Sequence, residues 1–105
     1  MLDLNLVELG CREQLDVRVR QGFKITSGVY YTNKLPGVGK QCCLTGAFYS
    51  GYDEPYYKGV TAALAINEEQ AKALQSGFCL GPAKLEGELK ALYDIGRKLR
   101  ADYVK

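Results

Sequence analysis

The sequence predicts a mainly α fold, a small single-domain bundle of about four helices. A short β-hairpin near residues 29–44 is an optional addition, and α+β is the alternative class. Three observations carry this. Leu85, Leu89, Leu92, Gly96, Leu99 and Tyr103 are spaced four, three, four, three, four, which draws one apolar seam along a helix. Asn67-Glu68-Glu69-Gln70 reads as a helix start, because an asparagine cap and a glutamine three residues later can satisfy each other's backbone groups. Leu4, Val7, Cys11 and Leu15 recur every three or four residues near the beginning of the chain.

In chain order, the first helix is expected from Asp3 to Asp16. Leu15, Val17 and Val19 then alternate with Asp16, Arg18 and Arg20, so an extended or fraying segment follows. Residues 22–31 are rich in β-formers and broken by Gly22 and Gly28. Pro36-Gly37 favours a turn, so Val29–Thr32 and Lys40–Leu44 can face each other as a hairpin. For Cys43–Phe48 a helix is preferred, with Gly46 marking the close approach of another backbone. Residues 51–58 read as loop and residues 59–66 as one or two helical turns. The next helix is expected over Glu68–Ser76, with Gly77 as its left-handed terminator. The last starts at Pro82 or Ala83, with exposed pairs Glu86–Lys90 and Asp94–Lys98. Gly96 lowers helix propensity, so a second helix should pack tightly against it.

The chain has 105 residues, 47% hydrophobic and 25% charged, in keeping with one globular domain over residues 1–105. A net charge of +2, with acids and bases interleaved, argues against wholesale phosphate binding and so against nucleic acid as a partner. No apolar run is long enough to cross a membrane, and the first residues lack the pattern of a signal peptide, so the expected compartment is the cytoplasm. There is no histidine, which removes Ser-His-Asp and Cys-His catalysis and imidazole metal sites. The chain is therefore read as a non-enzyme, with no catalytic residue, metal or cofactor assigned.

Cys42-Cys43 are the candidate redox pair, since neighbouring thiols can close a strained, labile disulfide. In a reducing compartment the plainer role of all four cysteines is as small buried apolar groups. No Cys-x-x-Cys pair offers zinc a familiar ligand spacing. Leu35–Lys40 fails the phosphate-loop pattern, with lysine at position 34 and glutamine at 41. Residues 59–78 faintly suggest a helix-turn-helix DNA-binding regulator, but the second helix would present Glu68 and Glu69 to phosphates. The remaining signal is aromatic. Tyr30, Tyr31, Tyr49, Tyr52, Tyr56 and Tyr57 fall close together, and tyrosine supplies rigid amphipathic area suited to interfaces and pockets. Asp53-Glu54 beside them would form an acidic rim for a cationic partner.

Cys42-Cys43-Leu44-Thr45-Gly46-Ala47, Ala63-Leu64-Ala65-Ile66 with Glu69-Gln70-Ala71, Ser76-Gly77-Phe78, and Tyr93-Asp94-Ile95-Gly96-Arg97-Lys98-Leu99-Arg100-Ala101 follow in order. This order resembles small uncharacterised proteins of bacteria, phages and mobile gene cassettes. The likeness covers residues 40–103. It implies a compact, mainly helical domain and brings no activity or site with it.

The first functional expectation is thus a recognition module that uses the tyrosines for a protein or small ligand, a cationic one above all. A DNA-binding regulator and a thiol-dependent enzyme at Cys42 or Cys43 are the alternatives. The long C-terminal seam also makes a homodimer through that helix plausible.

Overall fold

The computed structural model describes residues 2–33, 39–51, 56–81 and 84–105. Helix α1 spans Leu4–Arg20, strand β1 Lys24–Ile25, β2 Tyr31–Thr32 and β3 Gln41–Cys42. A 3-10 turn over Gly46–Phe48 leads to α2 (Lys58–Leu64), α3 (Glu68–Phe78) and α4 (Gly87–Tyr103). The fold is mainly α, with a three-stranded scrap of sheet.

Helix α1 begins at Asp3, whose Oδ1 accepts the backbone N–H groups of Asn5 and Leu6 at 3.0 and 3.2 Å. Val7, Cys11 and Leu15 form its buried stripe. It continues four residues past the expected end at Asp16. The alternation that suggested an extended segment has no two-sided environment to match, for Val19 is 50% exposed. Arg18 instead uses helical geometry to reach the carbonyls of Ala47 and Tyr49. Tertiary contacts thus outweigh a weak local preference.

Strand β3 is central. It pairs in parallel with β1 (Lys24↔Gln41, Ile25↔Cys42) and antiparallel with β2 (Tyr31↔Cys42, Thr32↔Gln41). The hairpin expected near residues 29–44 is present in its two arms, while its Pro36-Gly37 turn lies outside the described residues. The helix preferred for Cys43–Phe48 shrinks to the 3-10 turn. Its geometry is set by Gly46, which lies against the Tyr30 carbonyl so tightly that a Cβ would fall 1.4 Å from that oxygen. The close backbone approach expected there is present.

Helix α2 ends at Ala65 in the left-handed region, φ 53°. The Asn67 capping box forms as expected: Gln70 N donates to Asn67 Oδ1 at 2.8 Å, and Asn67 N donates to Gln70 Oε1 at 2.9 Å. The end of α3 differs. The helix runs through Gly77 to Phe78, and the left-handed residue is Leu80, φ 57°. Gly81 N donates to Ser76 O at 2.7 Å and Leu80 N to Gly77 O at 3.4 Å, the two bonds of a Schellman motif. Gly77 serves packing instead, since a Cβ there would meet Tyr93 O at 2.0 Å.

Helix α4 starts at Gly87, later than the expected Pro82 or Ala83, which lie outside the described residues. Leu92, Gly96 and Leu99 of the seam are buried; Leu85, Leu89 and Tyr103 are half-buried. A Cβ at Gly96 would lie 2.2 Å from Leu74 O, so α3 and α4 touch backbone to backbone, as the glycine in the seam foretold. The expected pairs Glu86–Lys90 and Asp94–Lys98 give way to Lys90–Asp94 at 2.6 Å and Lys98–Glu8 at 3.2 Å. Glu86 sits outside the helix as its cap residue, and Lys98 turns to a carboxylate of α1 that it shares with Arg12. The buried part of the seam is filled within the chain. No helix is long and apolar enough to cross a membrane among the described residues.

Candidate functional site

The tyrosines converge. Tyr31 packs on Phe23 at 5.3 Å between ring centroids and on Tyr49 at 4.5 Å. Tyr49 meets Tyr30 edge to face at 6.0 Å, Tyr30 meets Tyr56 at 4.4 Å, and Tyr56 meets Tyr57 at 4.7 Å. Six rings from four separate stretches therefore form one ladder. Tyr52 lies outside the described residues, as do Asp53 and Glu54. The ladder is anchored by polar tips: the Tyr30 hydroxyl donates to Tyr56 O at 3.0 Å, and the Tyr56 hydroxyl accepts from Gln75 Nε2 at 3.2 Å. Although Tyr56 is 42% exposed, that inward-turned oxygen is what ionises, and burial pushes its pKa up to about 12. Burial also raises Tyr57.

At one end the ladder becomes the wall of a groove of about 1120 Å³, bounded by α1, β2, the 3-10 turn and the start of α2. Tyr31, Phe48 and Tyr49 give it aromatic surface, and Gly59, Ala62 and Ala63 keep the α2 side low. Thr32 and Asn33 on the sheet edge, with Gln14 on α1, supply hydrogen-bonding groups. Gln14 itself donates to Ala47 O at 2.7 Å. Two cations line the groove, Arg18 and Lys58, and no carboxylate does among the described residues.

Arg18 is the residue that sequence reasoning missed. Its Nε donates to Ala47 O at 2.9 Å, its Nη2 to Tyr49 O at 2.7 Å and its Nη1 to Gln21 Oε1 at 3.0 Å. The guanidinium carbon sits 5.2 Å from the Phe23 ring centre and 5.3 Å from that of Tyr31. These contacts fix its plane, yet all three acceptors are uncharged. The available signal was an arginine four residues beyond Gln14 on the same helical face.

The paired thiols go different ways. Cys42 and Cys43 are both buried. Burial holds the Cys42 thiol up at about 12. Cys43 Sγ lies 3.4 Å from Thr45 Oγ1 and 3.3 Å from Gln75 Nε2. The same amide nitrogen is 3.1 Å from Cys79 Sγ. Lys40, which could have activated a neighbouring thiol, instead donates to Gln21 O at 3.1 Å. In the helix-turn-helix region, α3 buries Ala71, Ala73, Leu74, Gln75, Gly77 and Phe78, and its exposed start carries Glu68 and Glu69. Among the described residues, no three His, Cys, Asp or Glu side chains lie together so as to hold a metal ion.

No family model, no curated protein and no solved structure matches this chain.

Proposed function

We propose that this protein is a non-enzymatic recognition module, working in the cytoplasm, that takes a small ligand into the groove beside the tyrosine ladder. The observation that carries this reading is the convergence of rings scattered along the sequence into one wall of a groove. Rings held by their neighbours present area at little entropic cost, which is the economy that ligand sites need. The groove's described lining holds no carboxylate, thiol or imidazole, the groups that usually move protons or attack substrates.

The chain lacks tryptophan, so its emission is that of its eight tyrosines, five of which stand in the ladder. A fragment library of flat compounds should yield binders that raise the melting temperature and perturb that emission. Tyr49→Ala should weaken them by about tenfold, the usual worth of one stacking ring. Binders that ignore Tyr49→Ala, or a library with none, would defeat the proposal, provided circular dichroism shows the variant folded.

A further inference from the structure

We infer that the ligand is a small organic anion, its flat apolar body against Tyr31 and Tyr49 and its carboxylate or phosphate met by Arg18 and Lys58. This rests on the groove being the binding site and goes on to name the chemistry it selects.

Two features point to an anion. The first is Arg18. Three of its five N–H groups bond to neutral oxygens, and no carboxylate pairs with it among the described residues. A half-buried guanidinium keeps its full charge, and neutral acceptors do not cancel it. Its plane is already fixed by Phe23 and Tyr31, so a ligand would not have to order it. The second is Lys58, exposed on the α2 side of the groove and, among the described residues, in no ion pair. Two positive groups within one concave surface raise the local potential, because the protein walls focus the field. Aromatic surface, meanwhile, gains most from a flat apolar body. A cationic ligand, which the tyrosines alone would suggest, meets two like charges here and no opposing carboxylate in the described lining.

Matched probes separate charge from shape. Flat aromatic acids of one to three rings, 2-naphthoate among them, are titrated at low salt beside the corresponding amides, methylammonium compounds and aryl phosphates. Binding is read by NMR shift mapping and calorimetry. The acids or phosphates should bind at least about tenfold tighter than the amides, in line with a charge-assisted hydrogen bond. That preference should shrink when salt is raised to about 0.5 M. Lys58→Glu, an exposed substitution that the fold should tolerate, should weaken the anions by about tenfold and leave the amides nearly unchanged. Amides that equal the acids, or methylammonium compounds that surpass them, would overturn the anion inference; continued sensitivity to Tyr49→Ala would then leave the groove standing as a site. Failure of every series to bind would take down both.

Discussion

Gln75 Nε2 lies within hydrogen-bond distance of three acceptors, the sulfurs of Cys43 and Cys79 and the hydroxyl of Tyr56, while Gln75 Oε1 accepts from Thr45 N. One buried amide thereby ties the loop before the 3-10 turn to α3 and to the aromatic ladder. Two core thiols, Cys11 and Cys42, are held neutral by their surroundings. Cys11 is fully buried, and burial moves its pKa from an ordinary 9.0 up to about 12; Cys42 behaves alike. In the unfolded chain both would ionise near pH 9. The folded state therefore binds more protons between pH 9 and 12, and stability falls as pH rises through that window. Below pH 9 these thiols contribute no slope. We expect urea unfolding under reducing conditions to show a loss of about 1.4 kcal/mol per pH unit for each such thiol. Cys11→Ala should be less stable at neutral pH, for it leaves a cavity, but should show a shallower alkaline decline. An unchanged slope would mean that Cys11 is not the group that titrates.

At the scale of elements, the α3–α4 contact is governed by what is missing from two glycines. Gly77 lets α3 rest on the backbone of Tyr93, and Gly96 lets α4 rest on Leu74 O. In an open helix, replacing glycine with alanine would gain about 1 kcal/mol of propensity. Here a methyl would fall 2.2 Å from a carbonyl oxygen of a packed helix, with no flexible side chain to yield. The clash should win, and Gly96→Ala should destabilise by roughly 1–3 kcal/mol in chemical denaturation. A neutral or stabilising result would mean that the helices can separate without loss. The sequence made this contact readable, because a glycine within an otherwise regular leucine seam has few other uses. It made the capped start of α3 readable as well, since Asn67 and Gln70 act within one turn. The end of α3 was not readable. Gly77 has the residue type of a terminator, but its lack of a side chain is needed against Tyr93. The end of α1 was hidden for a related reason. What extends it is the reach of Arg18 to Ala47 and Tyr49, about thirty positions away.

Over the whole molecule, the described chain packs into a body of 42 × 27 × 22 Å with a radius of gyration of 13.0 Å, close to the roughly 13 Å typical of a hundred-residue domain. The candidate site was legible only in its materials. Tyrosine enrichment could be counted, but a groove built from α1, β2, the 3-10 turn and α2 has no linear signature. Asp53 and Glu54 adjoin the tyrosines in sequence, whereas the cations in the described lining come from α1 and α2.

One feature of the fold bears on how far this protein stands from its own optimum. Leu80 adopts φ 57° while leaving 51% of its surface in water, so it carries a steric cost with only partial burial to offset it. Glycine would relieve the strain and return part of the gain through the lost burial and the greater freedom of the denatured chain. Leu80→Gly should therefore raise the unfolding free energy by about 0.5–1 kcal/mol in a urea titration, with ligand affinity untouched. The position is a ready handle for making a hardier variant, and a drop in stability there would mean that the leucine is held by contacts worth more than its strain.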